Sequence, residues 1–539
     1  MALQIPKVYN HLKDIRGRSK VELKPTSLLK SEIVNESGDT VEFKLRNYQS
    51  IGVYNLLTMK RFILGDDTGL GKTIETLTTL SYLWEKEKGF KTIIVAPKSA
   101  LMQWQKEMSR FLVGLKGIVV KGSAKNRYKI YESFFLKQDH FALIMNYHIL
   151  ARDWDAIRYW IVDEEEIKEK GKKKKVYKVK MRMATIFDEA TAFKNTRTKT
   201  HDVCYQLSKL SDRVYGLTAT LLKNNLMEGF GIFRVIVPGL FRTKTGFMKE
   251  FCHTQLQHVG RGRKIPIVVG YKNLKKFRSD IDPYFLGRPK TEVSEELPEV
   301  ITKKVHLEFT KIQRDKYAEA LSGLLLLEDD EKETTKLTSM IYCQQIVDSP
   351  HLIEIPGPSN KEEELFRILE DELDKEKVII YSNFRKMVDR LGVLLEEKGI
   401  PYTRITGAEN KDVVREQNRS RFQDPESGVN IMLITNAGSA AINLQAASAL
   451  IFYDSPWSYG DYKQLLGRMV RIGSKHTTVL ALHLVVEGSI DMHVLKTLKK
   501  KKGLIDPILG GSEETLSFDS ESEIDDVFRA LKEDARRRR

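Results

Sequence analysis

The chain has 539 residues, with 89 Lys and Arg against 73 Asp and Glu, a formal net charge of +16. That length provides for two to four domains with an ample core, and 41% hydrophobic with 30% charged residues is the balance of a globular protein in water. No run approaches the roughly 18 apolar residues of a membrane span, residues 1–7 lack the apolar stretch of a secretory signal, and Cys204, Cys252 and Cys343 are too scattered for a disulfide framework or a cysteine zinc site. A cytoplasmic protein is therefore expected, in a nucleoid or an infected host cell, or nuclear if the source is eukaryotic. The positive excess points to a polyanionic partner without identifying it.

In chain order, strand-sized apolar runs recur at 62–64, 92–95, 143–145, 185–187 and 214–217, with helical stretches such as 74–84 between them. Residues 239–359 are richer in helix formers and charge, and 312–327 and 332–347 read as amphipathic helices. Strand-sized runs return at 378–381, 431–434, 450–453 and 479–485. Two successive strand–helix alternations predict an α/β fold with two parallel sheets. Two segments break the pattern. Residues 167–182 carry nine basic side chains, among them Lys172, Lys173, Lys174 and Lys175, against the single acid Glu169. The alternation over 175–181, with a turn at Lys170-Gly171-Lys172, predicts a projecting β-hairpin. The tail beyond 500 is acidic before it ends in Arg536–Arg539, and Ile524, Val527, Phe528 and Leu531 form a helical set suited to bracing the second domain.

The strongest chemical signal is Asp66-Asp67-Thr68-Gly69-Leu70-Gly71-Lys72-Thr73, between a strand and a helix. Glycines let successive backbone N–H groups turn toward phosphate oxygens. A lysine reaches the β- and γ-phosphates, and a hydroxyl holds Mg²⁺. The strict pattern asks for Gly where Asp66 stands. Asp188-Glu189 follows the run 185–187. One carboxylate at a strand end serves Mg²⁺ and its neighbour an attacking water, although such a pair taken alone also fits a solvated loop. Arg468 and Arg471 lie three apart on a predicted helix and share a face. Two guanidiniums suit a transferring phosphoryl group, whereas by themselves they read as a surface pair.

Taken together in this order, the motifs resemble the Swi/Snf-type helicase-like ATPases of superfamily two, in a compact viral or bacterial form. Leu45–Gln49 resembles the family's adenine-contacting entry, Asp66–Thr73 its Asp-x-x-Gly-Leu-Gly-Lys-Thr loop, and Ala96–Ser99 with Trp104 and Glu107 the next motif. Asp188–Thr191 with Phe193-Lys194-Asn195 is similar to its Asp-Glu-Ala-His box, and Leu217–Thr220 with Asn224-Asn225-Leu226 to its motif III. Tyr381–Phe384, Thr435–Leu444 and Gln464–Gly473 resemble motifs IV, V and VI. Thr191 replaces the box histidine, Leu221 a usual Pro, Ser439 and Ala441 usual glycines, and Val470 and Ser474 a usual His and Gln. These departures imply altered coupling rather than a dead ATPase.

The resemblance implies two RecA-like domains in tandem, with ATP between them. Gln49 would read adenine, and Gly69, Gly71, Lys72 and Thr73 would hold the phosphates. Thr73 and Asp188 would bind Mg²⁺, Glu189 would position water, and Arg468 and Arg471 would act on domain closure. Lys98, Asn146 and Thr435 are the implied backbone contacts to DNA. The lysine hairpin is read as a pin on duplex or junction, alongside a solvated loop or a nuclear localisation signal. The expected organisation is an N-terminal extension 1–44; a first domain 45–290 with hairpin insert 160–183 and a helical protrusion near 222–280; a helical linker 291–360; a second domain 361–500; and a brace and tail 501–539. The expected function is an ATP-dependent double-stranded DNA translocase, monomeric and without membrane partners, acting on duplex, fork or junction in repair or recombination, or displacing bound protein. An RNA-directed helicase and a nucleotide-gated DNA clamp with little turnover are the alternatives.

Overall fold

The computed structural model describes residues 23, 26–34, 39–87, 89–137, 140–169, 172–258, 264–289, 298–327, 333–407, 412–436, 444–470, 474, 476–510, 515–517 and 523–538. In chain order the strands are β1 Glu32–Val34, β2 Thr40–Glu42, β3 Arg61–Leu64, β4 Lys91–Ala96, β5 Lys116–Val119, β6 His140–Asn146, β7 Val162–Glu169, β8 Lys172–Val179, β9 Met183–Asp188, β10 Arg213–Leu217, β11 Cys252–His258, β12 Lys264–Tyr271, β13 Phe285–Leu286, β14 Glu299–Leu307, β15 Val378–Tyr381, β16 Tyr402–Ile405, β17 Ile431–Ile434, β18 Ala449–Phe452, β19 Thr478–Val486 and β20 Leu516–Ser517. The chain divides into two units: Met1–Leu222, Leu226–Phe247 and Phe277–Glu295 form the first, and Lys223–Asn225, Met248–Lys276 and Glu296–Arg539 the second.

In the first unit, seven strands among the described residues form one sheet in the order β13-β3-β10-β9-β4-β6-β5. Every pairing in it is parallel. The runs Phe62-Ile63-Leu64 and Thr92–Ala96 are buried at each position, because helices cover both faces of a parallel sheet and leave no solvated side. Parallel order also sends the loops that follow β3, β4, β6, β9 and β10 to the same carboxyl edge, where ligands of open α/β sheets bind.

The second unit carries six parallel strands in the order β14-β19-β18-β15-β17-β16 among the described residues. Alternate residues serve its two faces. Ile380, Leu433 and Ile451 belong to one buried cluster, and Ile379, Met432 and Leu450 to the other. The expected α/β architecture with two parallel sheets is the one observed.

Three segments differ from their expected form. Within 222–280, read as a helical protrusion, β11 and β12 pair antiparallel, and β20 adds to β12. Within 291–360, read as a helical linker, β14 forms the edge of the second sheet, with a mostly exposed pattern that contains no continuous apolar run. The hairpin pairs β7 with β8, so its first limb is the acidic run. Asp163 stands opposite Lys178, Glu166 opposite Lys175 and Glu169 opposite Lys172. Over 163–182 this sets nine basic residues against five acidic ones, a net of +4. The C-terminal helix Glu523–Arg538 buries Val527, Phe528 and Leu531, and pairs Asp525 with Lys336 and Asp526 with Lys500, each at 2.8 Å, within the second unit.

Candidate active site

The phosphate-type loop leaves β3 and enters helix Lys72–Lys86 through Gly71, whose φ of 92° is the left-handed conformation that a side chain resists. A Cβ at Gly71 would also meet the Gln49 amide. Gln49 Nε2 donates to Leu70 O at 3.1 Å, and the Tyr48 hydroxyl donates to the same oxygen at 2.9 Å, so helix Asn47–Thr58 ties down the loop. Lys72 Nζ donates to Asp66 O at 2.6 Å and Asp67 O at 3.2 Å. Burial lowers its pKa below the ordinary lysine value, while Asp66, Glu189, Asp188 and Asp67 act in the opposite sense.

Asp66, where the strict pattern asks for Gly, is a buried carboxylate. Arg288 Nη2 pairs with its Oδ2, Nε donates to its Oδ1 at 2.9 Å, and the Arg288 backbone N–H donates to Oδ1 at 3.0 Å. The same guanidinium lies 3.2 Å from Glu75 of the loop's helix, bonds Tyr48 O and sits over the Tyr48 ring. Burial pushes Glu75 well above the usual carboxylate range, with Arg288 opposing. Gly52 makes room for this cluster, because a Cβ there would fall 1.6 Å from Glu75 Oε2. Arg288 lies 222 residues from Asp66, and nothing in the spacing of either marks the pair.

Asp188 ends β9, and Trp104 Nε1 donates to its Oδ2 at 2.8 Å. The Glu189 N–H donates to its Oδ1 at 3.0 Å, and the Tyr147 hydroxyl donates to its backbone oxygen at 2.7 Å. Burial and the neighbouring Glu189 raise its pKa to about 6, against the Trp104 hydrogen bond and Lys72. Glu189 has φ 53°, a left-handed conformation that costs about 1–3 kcal/mol and persists where the surroundings impose it. Thr191, in place of the box histidine, is buried in the turn that follows. Beyond β10, the Thr218 N–H donates to Leu64 O at 3.1 Å, which joins that loop to the end of β3. Lys194 pairs with Glu228 at 2.5 Å.

The donors fit Mg²⁺. Thr73 offers a hydroxyl, and Asp188 a half-buried carboxylate whose charge, opposed by desolvation and by Glu189, gains from a cation. Lys98 follows β4, and Asn146 ends the adjacent strand β6. Lys98 is exposed, and Asn146 Oδ1 accepts from the Ile149 N–H at 2.9 Å as a helix cap. Lys172, Lys173, Lys174 and Lys175 are on β8. In the second unit, Arg468 is buried in helix Tyr459–Met469, and Thr435 is buried after β17. Arg471 lies outside the described residues, as do Ser439 and Ala441.

Among the described residues, no helix is long and apolar enough to cross a membrane. Residues 48–352 match the SNF2-related domain, and residues 360–473 the helicase conserved C-terminal domain. The chain is similar to nuclear protein STH1/NPS1 of Saccharomyces cerevisiae, 24% identical over 90% of this chain and 35% of that protein. It is also similar to human chromodomain-helicase-DNA-binding protein 1, 26% identical over 85% of this chain and 26% of that protein. It thus spans about a third or less of the length of either. Among solved structures it is similar to the Sulfolobus solfataricus SWI2/SNF2 ATPase core in complex with dsDNA, at 24% identity and TM-score 0.38, covering 87% of this chain and 94% of that one.

Proposed function

The chain belongs to the SNF2-related family, and from that premise we propose that it is a DNA-activated ATP hydrolase working as a translocase on duplex DNA. Its use would be to remodel forks or branched junctions, in repair or recombination, or to displace bound protein. The observation that carries the reading is the grouping of Lys72, Asp188 and Glu189, three half-buried groups in mutual electrostatic contact at one sheet edge.

In hydrolysis, water adds to the γ-phosphorus of ATP as the β–γ bridging oxygen leaves with ADP. Gln49 is the proposed adenine contact, and the N–H groups around Gly69 and Gly71 cradle the phosphates. Lys72 holds the β- and γ-phosphates, exchanging its loop carbonyls for phosphate oxygens. Glu189 orients the attacking water, and its held backbone limits how far the carboxylate can stray. Thr73 and Asp188 would hold Mg²⁺, which would supply positive charge to offset that of the phosphates. Arg468 and Arg471, carried by the second unit, are the proposed stabilisers of charge on the transferring group.

Lys98, Asn146 and Thr435 are the proposed contacts to DNA phosphates, with the β7–β8 hairpin as an additional contact through Lys172–Lys175. Such contacts are independent of base sequence and weaken with salt. The name of the human relative, which includes DNA binding, and the +16 charge both favour DNA as the polyanion. The test compares ATP turnover with duplex DNA, single-stranded DNA and RNA, with Lys72→Ala as the control. Duplex DNA is expected to activate most, and Lys72→Ala to abolish turnover. RNA as the best activator, or negligible turnover by the unmodified chain, overturns the reading.

A further inference from the structure

Outside the ATP-type site, the first unit contains a cleft of about 250 Å³ lined by Thr196, His201, Asp202, Tyr205, Phe230, Arg234 and Lys244. Its charged lining is two cations, Arg234 and Lys244, against one carboxylate, Asp202. Arg234 stands over the face of Tyr205 with its guanidinium carbon 5.1 Å from the ring centroid, and its Nη1 donates to Arg242 O at 3.3 Å. Lys244 is exposed, and Asp202 is the one carboxylate in the lining.

The second observation concerns His201, which is 1% exposed. Its Nδ1 is 2.8 Å from Phe193 O. A carbonyl oxygen only accepts, so Nδ1 carries the hydrogen, and Nε2 is left as the free lone pair of the neutral ring. Nε2 is buried and has no hydrogen-bond partner among the described residues. Buried polar atoms are nearly always partnered, and an unsatisfied one costs about 1–3 kcal/mol. The guanidinium and the ammonium suit a ligand that brings oxygens and negative charge, and the Nε2 lone pair, which only accepts, can join such a ligand by taking up a proton.

We propose that this cleft is a second anion site, separate from the phosphate loop, that takes a phosphate group through His201, Arg234, Lys244 and the Thr196 hydroxyl. Arg234 presents paired N–H donors to two phosphate oxygens. Lys244 adds a point charge. His201 completes the set by protonating, so that Nε2–H donates to the third oxygen. The groups that face the imidazole explain why it waits for the ligand. Burial and Arg234 hold its pKa below the ordinary histidine value, while the Phe193 carbonyl and Asp202 act in the opposite sense. A bound phosphate outweighs Arg234 at close range. The ligand is free phosphate or a phosphate of a nucleic-acid backbone, and the site stands independently of the reading of the chain as an ATPase.

The test follows the His201 ring by NMR in the full histidine-labelled chain, its signal identified by loss in His201→Gln. Inorganic phosphate is titrated in one arm and a 30-base-pair duplex in the other. Both are repeated in Lys72→Ala, which separates this cleft from the ATP-type loop. A rise in the His201 pKa of about one to three units is expected. Arg234→Gln and the exposed Lys244→Gln are each expected to weaken binding about tenfold. A response to inorganic phosphate identifies a free-phosphate site, and a response to duplex alone a backbone site. No response in either arm, or one unchanged in Lys244→Gln and Arg234→Gln, overturns the proposal. DNA-stimulated turnover with a silent His201 would reject this site and leave the translocase reading standing.

Discussion

Replacing Arg288 by alanine tests whether the ion cluster beneath the phosphate-type loop holds the loop in place. Arg288 is 1% exposed, and the two carboxylates it serves, Asp66 and Glu75, are fully buried. Truncation would leave both without their cation and would remove the bond to Tyr48 O, which steadies the helix that carries Gln49. Breaking a buried pair by removing one partner costs about 3–5 kcal/mol. At about 2–4 °C per kcal/mol for a unit of this size, the first unit should melt about 6–20 °C lower at pH 8.

The penalty should depend on pH, with a sign set by Glu75. Its pKa is already raised in the folded chain, so the native state keeps a proton that the unfolded chain has lost, and stability falls as pH rises through that window. Without Arg288, which opposes the rise, the folded value moves higher still. The loss should therefore be smaller at pH 5 than at pH 8. Adding Glu75→Gln to Arg288→Ala should recover part of the loss at pH 8. Urea and thermal unfolding at the two pH values measure this, with ATP-analogue affinity as a second readout. A cost below about 1 kcal/mol, or equal costs at pH 5 and pH 8, would refute the reasoning.

Asp188→Asn should abolish turnover yet stabilise the first unit above pH 7 by up to about 3 kcal/mol, since a value near 6 marks a carboxylate that folding disfavours in its charged form; an unchanged melting temperature would contradict it. In the free enzyme the same value should give kcat/KM for ATP an acidic limb near pH 6, and Trp104→Phe, by removing the hydrogen bond that favours the charged form, should move that limb upward; a pH profile of kcat/KM that stays in place would show that Asp188 does not set the limb. Deleting residues 163–179 should flatten the dependence of duplex affinity on salt by about 0.9 log–log units for each DNA phosphate that the hairpin neutralises. Because Asp163, Glu166 and Glu169 of β7 stand opposite Lys178, Lys175 and Lys172 of β8 in register, the change should correspond to far fewer phosphates than the seven basic residues removed would suggest. An unchanged slope in salt titrations would remove the hairpin from the DNA surface.

The phosphate-type loop was legible because its chemistry is local. Gly69, Gly71, Lys72 and Thr73 are consecutive enough for one turn of backbone to dictate their use, and the apolar run before them announces the strand. Asp188-Glu189 was legible for the same reason, once it followed a strand-sized run. The hairpin was half legible. Alternation over 175–181 showed one limb, but 163–169 reads as an acidic stretch until cross-strand register sets it against the lysines. β14 was hidden because Glu299–Leu307 is an exposed edge strand with Lys303 and Lys304 at its centre, so no continuous apolar run marks it.

Periodicity and motif order by themselves determined two parallel α/β sheets, a nucleotide-type loop and an acidic pair, because these depend on neighbours a few residues apart. Only the tertiary structure decided what Asp66 does in place of the expected glycine. Its partner Arg288 returns beside β3 through the short edge strand β13, and Gly52 on another helix leaves room for Glu75 to join them. The same holds for His201, whose unpartnered nitrogen exists only because the Phe193 carbonyl occupies the other. Burial and long-range pairing give a charged side chain its energy, and they are set by which segments pack together rather than by the residues on either side.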